Sequence, residues 1–505
     1  MAVTLGPLDL VVVDSLETAL HTHFGWSRFR AGQRPVVEAV LSGRDALAVL
    51  PTGGGKSLCY QLPALIRGGL VVVISPLVAL MEDQVLQLRR RGIAAACLHA
   101  GLDPARRQQA MAALRDESLR LLYLAPERLQ GEATQRLLET HAAEGRLVAL
   151  AVDEAHCISA WGHDFRPDYR RLGLIRRLCP GVPMLALSAT AAPRVRADIL
   201  RLLDLRSPLV QVSSARRENL RYAMQRRPRD PMPQVLEALE QSRGATLIYA
   251  RTRRSVEHWA ERLQGQSVEA TPYHAGLDPA TRQTALTQFL EQERPVLVAT
   301  VAFGMGVDRG DVGLVLHLDL PSTPEGYLQE SGRAGRDGQP ARCLVLFSPG
   351  DRTSLGWAMQ AAAGQGTTAD ERHRLDLAQQ QLRRMEAVAE GEMCREQALL
   401  LAVGELVDPC GRCDRCSASP KRKDWSRQAT TLLTHLDDLD GTDMRRLGEH
   451  LALHETGQGE RWTWLARRLV QEELIRESND GVQRLQLRDS GRRYLERPWP
   501  LDFAA

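Results

Sequence analysis

The stretch Leu147 to His156, LVALAVDEAH, is the part of the sequence that most clearly indicates the fold of this chain. Its first six residues are apolar, which is typical of a strand buried in a parallel sheet. The carboxylates of Asp153 and Glu154 follow this strand directly and therefore lie at its carboxyl end. There Asp153 is suited to hold Mg²⁺ and Glu154 to polarise a water molecule, as nucleotide hydrolysis requires. A purely structural acid pair is the alternative, which the strand context disfavours.

A glycine-rich turn follows the apolar run Ala46 to Leu50 and reads PTGGGKS over residues 51–57. We call it the phosphate loop, because glycines permit a tight path that turns backbone N–H groups towards an anion. Leu50 stands where the usual pattern has its first glycine, so an incidental glycine-rich turn is the alternative. The loop predicts a site for ATP and Mg²⁺, with magnesium held by Ser57 and Asp153. The predicted nucleotide contacts are Thr52, Gly53, Gly54, Gly55, Lys56 and Ser57.

Short apolar runs alternate with longer helical patterns through the first two thirds of the chain. This rhythm predicts an α/β fold whose parallel sheets are covered by helices, and it starts a second time after residue 244. We therefore expect two lobes, joined by the arginine- and proline-rich segment 216–234, which has few periodic apolar residues. The expected strands are residues 46–50, 70–74, 121–124, 147–152 and 184–187, then 245–249, 296–300, 312–318 and 343–347.

One heptapeptide occurs twice: HAGLDPA at residues 99–105 returns at residues 274–280. Each copy comes just after an expected strand and opens a helix. Two similar helix-capping turns are the alternative, since Asp-Pro starts helices in many proteins. Seven matching residues in corresponding places favour two related lobes in tandem, of which the first carries the phosphate loop.

The second lobe contributes the segment QESGRAGRDG at residues 329–338, with two arginines one helical turn apart. Phosphoryl transfer needs positive charge near the γ-phosphate, so Arg336 is our candidate arginine finger and Arg333 a second phosphate contact. A solvated basic helix start is the alternative. The candidate catalytic residues are Lys56, Asp153, Glu154, Gln329, Arg333 and Arg336.

A third nucleotide contact is expected near the start of the chain. Trp26 and Arg30 are suited to sandwich an adenine ring, and Gln33 to hydrogen-bond its edge. This would give a preference for ATP. Trp26 as an ordinary core residue is the alternative.

Four of the nine cysteines crowd into one segment, whereas the other five are scattered singly. Thiolates at this spacing predict a closed tetrahedral Zn²⁺ site, with an iron–sulfur cluster as the rival. An odd, unevenly spaced set suits reduced thiols better than a secreted disulfide framework. The expected zinc ligands are Cys394, Cys410, Cys413 and Cys416.

Length and charge limit the class of protein. A chain of 505 residues should hold about three domains. The formal net charge is only +3, so contact with nucleic acid must come from local basic patches. No signal peptide or long apolar segment is evident, so we expect a cytoplasmic protein, associated with the nucleoid if bacterial, without a membrane partner.

The strand pattern fades after residue 349. Residues 371–404 predict a helical pair that delivers Cys394 to the other three cysteines. Beyond Trp425, helical patterns at 428–436, 444–453 and 462–472 precede a hairpin pattern with its turn at residues 479–481. Helices followed by a hairpin predict a winged helix.

Together these motifs resemble the RecQ family of DNA helicases, within helicase superfamily 2. The most specific segment is CISAWGHDFRPDY at residues 157–169, which we call the aromatic loop because it looks like that family's aromatic-rich loop. The resemblance implies two tandem RecA-like lobes, a helical zinc-binding subdomain and a divergent winged helix, in a short form without a C-terminal HRDC module. The implied domains are residues 1–212, 213–350, 351–422 and 423–505.

The resemblance also implies an ATP-dependent 3'-to-5' DNA helicase that acts in repair and recombination. Its cofactors would be ATP, Mg²⁺ and Zn²⁺. Its partners would be single-stranded and forked DNA, with single-stranded-DNA-binding protein and recombination proteins as further candidates. Hydroxyl groups at the ends of strands are suited to contact successive phosphates of a nucleic acid strand, although such hydroxyls also cap helices. The residues implied in DNA sensing and coupling are Trp161, His163, Phe165, Arg166, Ser188, Thr190 and Thr300.

Two other functions remain open from the residues. One is an RNA helicase or remodelling ATPase with the same engine, against which the aromatic loop argues. The other is a DNA-binding or annealing protein with weak ATPase activity, which the full set of catalytic candidates disfavours.

Overall fold

The structure is a computed structural model. It describes residues 13–504 except 163, 302, 304–308, 364–367, 419–421, 440, 455–458 and 479–483. None of the helices in this part of the chain is both long and apolar enough to cross a membrane. Helices and strands are numbered below in chain order.

The first lobe is built on a seven-stranded, all-parallel sheet with the order β3-β4-β2-β5-β6-β1-β7. Its inner strands are buried on both faces, which explains their continuous Val, Leu and Ala runs. The strands are β1 (Ala46–Val49), β2 (Leu70–Ile74), β3 (Ala95–Leu98), β4 (Leu121–Leu124), β5 (Leu147–Val152), β6 (Met184–Ser188) and β7 (Leu209–Val212).

Helices cover both faces of this sheet, as parallel strands require. They are α1 (Val13–Phe24), α2 (Gln33–Leu41), α3 (Leu58–Arg67), α4 (Val78–Arg90), α5 (Pro104–Arg115), α6 (Glu132–Ala143), α7 (Gly173–Leu178) and α8 (Pro193–Leu202). Short 3₁₀ helices span Pro126–Gln130, Ala155–Ile158 and Pro167–Arg171.

The second lobe has a six-stranded parallel sheet with the order β10-β11-β9-β12-β13-β8. Its strands are β8 (Leu220–Arg226), β9 (Ala245–Tyr249), β10 (Ala270–Tyr273), β11 (Val296–Ala299), β12 (Val312–His317) and β13 (Ala341–Phe347). Its helices are α9 (Met232–Glu240), α10 (Arg253–Gln264), α11 (Pro279–Glu291) and α12 (Pro324–Ser331).

The two lobes share one topology. Counted from β8, the second sheet has the order 3-4-2-5-6-1, which is the order of the first sheet without β7. The repeated heptapeptide follows the third strand of each lobe, and Asp103 and Asp278 cap the helices that come next. Tandem related lobes, as the repeat predicts, are therefore confirmed.

The linker expected at residues 216–234 is wrong in part. This segment contains β8, which pairs with β13 at the edge of the second sheet, and the start of α9. Leu220, Tyr222 and Met224 are buried and alternate with the more exposed Arg221, Ala223 and Gln225, so β8 is buried along one face only. The arginines of this segment made it look like a solvated linker in the sequence, so the alternation of a half-buried strand was not recognised. The chain crosses between the lobes over the shorter stretch 213–219.

A helical region follows the second lobe, with α13 (Gly350–Ala363), α14 (Ala369–Glu390), α15 (Arg395–Ala402) and the short α16 (Asp414–Ser417). The helical pair expected at 371–404 is confirmed as α14 and α15. Met385 and Leu399 of this pair share one hydrophobic core with Leu220 and Val345 of the second lobe. The helical region is thus packed onto the second lobe rather than separate from it.

The C-terminal region combines helices with two small antiparallel sheets. The elements of this region, in chain order, are β14 (Arg422–Asp424), α17 (Ser426–Asp438), β15 (Thr442–Asp443), α18 (Met444–His454), α19 (Gly459–Gln471), β16 (Ile475–Glu477), β17 (Arg484–Leu487), α20 (Asp489–Glu496) and β18 (Asp502–Ala504). The three expected helices and the β16–β17 pair are present, while the turn at 479–481 lies outside the described residues. The assignment as a winged helix stays a prediction, as do the domain boundaries.

Buried ion pairs attach the C-terminal region to the helical region. Arg352 of α13 pairs with Glu386 of α14 and Glu477 of β16, and all three side chains are about nine-tenths buried or more. Arg468 of α19 pairs with Glu392 at 2.8 Å. Arg352 therefore bridges the helical region and β16, and this fixes where the hairpin lies.

Candidate functional site

A cleft of about 480 Å³ lies between the two lobes at the carboxyl ends of their strands. Both lobes line it, so the cleft joins segments that are far apart in sequence. Of the predicted nucleotide and catalytic residues, it is lined by Trp26, Arg30, Thr52, Gly53, Gly55, Lys56, Ser57, Asp153, Glu154, Gln329, Arg333 and Arg336.

The phosphate loop connects β1 to α3, as the sequence predicts. Gly53 and Gly55 have φ angles of +79° and +72°, a region that side chains rarely adopt. A Cβ atom on Gly55 would lie 2.5 Å from Nε2 of Gln33, so a larger residue there would displace this amide. The amino end of α3 comes directly after Ser57, which places its dipole towards the loop.

Gln33 holds the phosphate loop from behind. Its Nε2 donates to the carbonyl oxygens of Gly54 and Gly55, both at 3.0 Å, and its Oε1 accepts from the N–H of Arg30 at 2.7 Å. The Arg30 guanidinium in turn donates to the carbonyl oxygen of Gly53. The amide of Gln33 is therefore engaged by protein groups, and its contact with adenine stays a prediction.

Trp26 lies at the rim of the cleft. It is 44% exposed and stacks on Phe24 with 5.4 Å between ring centroids. The guanidinium of Arg91 lies 5.9 Å from the Trp26 ring. This exposure does not fit the alternative of an ordinary core residue, and it leaves ring surface available for a base.

The acid pair lies where the sequence predicts, at the carboxyl end of β5. Asp153 is buried, and its backbone N–H continues the sheet by donating to Ile74 at 2.8 Å. Burial and then the neighbouring Glu154 carboxylate raise the pKa of Asp153 to about 7, which Lys56 opposes. A divalent cation would relieve this repulsion, so the residues fit Mg²⁺ held by Asp153 and Ser57.

Glu154 is connected to the rest of the lobe through His156. One carboxylate oxygen of Glu154 lies 3.3 Å from Nδ1 of His156, which is 3.1 Å from the hydroxyl of Ser188. Ser188 is fully buried and donates to the carbonyl oxygen of Thr190 at 2.6 Å. Because Ser188 has no exposed surface, a direct contact with DNA does not fit it, and its role in coupling stays a prediction.

The second lobe reaches the phosphate loop through two close approaches. A Cβ atom on Gly53 would lie 3.4 Å from Cγ of Arg336, and one on Gly332 would lie 3.0 Å from Cβ of Thr52. Nε2 of Gln329 and Nε of Arg333 are buried and have no hydrogen-bond partner among the described residues. These donors face a space where an anionic ligand would satisfy them.

The four predicted zinc ligands lie together, with all Sγ atoms within 4.8 Å of one another. Sγ of Cys394 and Sγ of Cys413 are 3.8 Å apart, which matches the roughly 3.8 Å between corners of a tetrahedron with Zn–S bonds of about 2.3 Å. Backbone N–H groups of Cys410, Cys413 and Cys416 donate to these sulfurs, as they do to thiolates. The set fits one ion better than an iron–sulfur cluster.

The aromatic loop lies beside the acid pair and contacts the helical region. Trp161 lies under the guanidinium of Arg194, and Phe165 lies near Arg170. Arg166 pairs with Asp164 at 3.0 Å and donates to the carbonyl oxygen of Pro76 at 2.7 Å. His163 lies outside the described residues, whereas Thr190 is buried and Thr300 is half-buried at the end of β11.

Comparison with known proteins identifies three families along the chain. The DEAD/DEAH box helicase family matches residues 30–199, the helicase conserved C-terminal domain matches 230–338, and the RecQ zinc-binding family matches 349–417. The ATP-dependent DNA helicase RecQ of Pasteurella multocida is 38% identical over 450 residues, which cover 89% of this chain and 67% of the relative. The chain belongs to the RecQ family of ATP-dependent DNA helicases.

Other matches agree with this assignment. RecQ of Haemophilus influenzae is 39% identical over 81% of the chain and 64% of its own length. Among solved structures, the Mycobacterium smegmatis helicase Lhr bound to ssDNA and AMP-PNP covers 95% of the chain and 61% of its own, with a TM-score of 0.55 and 18% identity. At that identity the structural match supports the two-lobe helicase fold alone. The RecQ-type zinc assignment rests on the family match and on the four thiols.

Several groups in and around this RecQ-family site were not predicted from the sequence. Arg91 lines the cleft beside Trp26, and Arg217 donates to the carbonyl oxygen of Gly335 at 2.6 Å, between the two candidate arginines. Arg194 covers Trp161. These are three of 65 basic residues, and no spacing pattern distinguishes them before the chain is folded.

Replacing Gln33 with alanine is expected to raise the KM for ATP about 5- to 50-fold, because it removes two hydrogen bonds to the phosphate loop, each worth about 0.5–1.5 kcal/mol. ATP and GTP turnover at saturating single-stranded DNA measure this effect. If the role of Gln33 is to hold the loop, the KM values for ATP and for GTP rise by the same factor. A loss confined to ATP would show instead that the amide recognises adenine.

Proposed function

We propose that this chain hydrolyses ATP in the interlobe cleft and uses the cycle to move 3' to 5' along single-stranded DNA, separating the duplex ahead of it. The single observation that carries the proposal is the contact of Arg336 from the second lobe with Gly53 of the phosphate loop. It puts a candidate arginine finger across the cleft from Lys56 and the acid pair.

The residues in the cleft divide the chemistry between them. The phosphate-loop N–H groups and Lys56 bind the β- and γ-phosphates, while Ser57 and Asp153 hold Mg²⁺, which screens the phosphate charge. Glu154 orients the attacking water and accepts its proton. Arg336 and Arg333 then stabilise the charge that develops on the departing γ-phosphate.

Movement follows from the division of the site between two lobes. Since ATP contacts both lobes, binding favours a closed cleft and hydrolysis removes the contacts that hold it closed. The aromatic loop continues directly from the acid pair, so a strand stacked on Trp161 and Phe165 would be sensed at Glu154. We propose single-stranded and forked DNA as substrates.

The direction of movement and the cellular role rest on the family. The relatives are ATP-dependent DNA helicases by name, and the RecQ resemblance implies 3'-to-5' movement and a role in repair and recombination. Single-stranded-DNA-binding protein and recombination proteins are the proposed protein partners, and the cytoplasm or nucleoid is the proposed location.

An RNA-directed motor is the second candidate. The DEAD-box helicase Mss116 bound to ssRNA and UDP-BeF shares the fold at a TM-score of 0.56, with 15% identity over 79% of the chain. That likeness concerns the two-lobe helicase fold alone. The DNA helicase relatives and the aromatic loop favour DNA, and a weak ATPase that only anneals strands has no support from the complete cleft.

ATP turnover with no nucleic acid, with single-stranded DNA and with single-stranded RNA tests the proposal. We expect the DNA to increase the rate at least tenfold, and to do so more than RNA. Duplexes with a single 3' or a single 5' tail then report the direction, and only the 3'-tailed duplex should be unwound. Lys56→Ala is the control, since unwinding that survives this change would contradict an ATP-driven motor.

A further inference from the structure

The rings of the aromatic loop are covered by side chains of the protein itself. The guanidinium carbon of Arg194 lies 3.2 Å from the centroid of Trp161, and the ring of His373 meets Trp161 edge-on at 5.8 Å. Phe165 lies 5.7 Å from the guanidinium carbon of Arg374. A DNA base needs these same ring surfaces in order to stack.

Two of these covering groups come from a different part of the molecule than the loop. Arg194 belongs to the first lobe, as the aromatic loop does. His373 and Arg374 belong to the start of α14, whose later residues Leu382 and Met385 lie in the core shared with the second lobe. The contacts of His373 and Arg374 therefore tie the loop to the body that must shift when the cleft opens and closes.

The other end of the aromatic loop is attached to the acid pair. The N–H of Cys157 donates to the carbonyl oxygen of Glu154 at 2.9 Å, and the hydroxyl of Tyr169 donates to the carbonyl oxygen of Asp153 at 3.0 Å. The loop thus runs from the hydrolytic carboxylates to α14. The position of its rings is thus linked, through hydrogen bonds to the backbone of Asp153 and Glu154, to how these carboxylates are held.

We propose that His373 and Arg374 are positioning residues that hold the aromatic loop in a resting arrangement, and that single-stranded DNA displaces them from Trp161 and Phe165 when it activates ATP hydrolysis. This inference rests on the proposed function. The cation–π contact of Arg374 corresponds to about two- to fivefold in an equilibrium constant, and the edge-on ring contact of His373 to about two- to 13-fold. Stacking of a base corresponds to about five- to 150-fold. DNA is therefore able to replace these contacts.

His373→Ala and Arg374→Ala test the inference through ATP turnover titrated with an oligothymidylate. We expect the DNA concentration for half-maximal stimulation to fall about two- to fivefold in each variant, and the rate without DNA to rise. Removal of a positive charge near DNA has the opposite effect on its own, because it weakens phosphate contact. A fall in that concentration is thus specific to release of the loop.

Arg372→Ala is the matched control, since Arg372 is exposed on the same turn of α14 and is not among the groups at the two rings. It should leave the half-stimulating concentration unchanged or raise it. If an alanine variant melts at a lower temperature, Arg374→Lys provides the same test, because it keeps the charge and loses the planar group.

The outcomes separate this inference from the function on which it rests. A wild-type chain whose ATP turnover ignores DNA would contradict the proposed function itself. A wild-type chain that responds to DNA, together with unchanged or raised half-stimulating concentrations in the His373 and Arg374 variants, would overturn the resting arrangement alone.

Discussion

Replacing Arg336 with alanine should lower the rate of ATP hydrolysis on the order of 10³- to 10⁵-fold, the range seen when an arginine finger is lost. The structure places its side chain close to Gly53 of the phosphate loop, on the opposite side of the cleft from Lys56. Most of the loss should appear in kcat, because the charge that Arg336 stabilises develops only in the transition state. ATP turnover at saturating single-stranded DNA measures kcat, and titration with a fluorescent ATP analogue measures binding.

Arg294→Ala is the control for this experiment. Arg294 precedes β11 and so lies at the amino ends of the strands, opposite the cleft, where its guanidinium donates to Ser242. It should retain full activity. Arg333→Ala should show a smaller loss than Arg336→Ala, since the side chain nearest to Gly53 is that of Arg336. Equal kcat values for Arg336→Ala and wild type would remove Arg336 from the catalytic set.

Replacing Cys413 with alanine should remove zinc and unfold the helical region. Structural Zn²⁺ contributes on the order of 10 kcal/mol to folding where four thiolates close the site. Cys413 is fully buried and lies in the core shared with the second lobe, so this loss should destabilise that lobe as well. The metal content of the purified protein and its thermal unfolding measure the effect.

Cys179→Ala is the matched control, because Cys179 is also fully buried but belongs to the first lobe, away from the metal. The same atom change there should cost only about 1 kcal/mol. Wild-type protein that keeps its thermal stability after zinc is removed would contradict the metal assignment. A Cys413 variant that retains one zinc per chain would do so too.

Much of the fold follows from the sequence because buried parallel strands leave a direct trace in it. Runs such as Leu70–Ile74 and Leu147–Val152 are apolar on both faces, because helices cover both sides of a parallel sheet. The edge strand β8 was not predicted because one of its faces is solvated, so the apolar run is broken by Arg221 and Gln225. A half-buried strand rich in arginine looks like a linker until its partner, β13, is known.

The candidate site was predictable where its chemistry is local. Glycines next to Lys56, carboxylates next to a strand, and cysteines separated by two intervening residues indicate their function through their spacing, because each set lies within a short stretch of backbone. Cys394 was also predictable, because a tetrahedral site needs a fourth ligand and the helical pattern brings it close. Neither argument extends to groups that meet across the molecule.

The two-sheet architecture, the phosphate loop with its acid pair, and the cluster of four thiols could therefore be predicted from the sequence alone. Each of these depends on residues adjacent in the chain, where periodicity and spacing control geometry. Three contacts could not be predicted and are seen only in the folded chain. Gln33 holds the phosphate loop, Arg336 lies close to Gly53, and α14 covers the aromatic loop. These contacts join residues separated by up to about 280 positions, and their distances depend on how the two lobes pack, which no local pattern records.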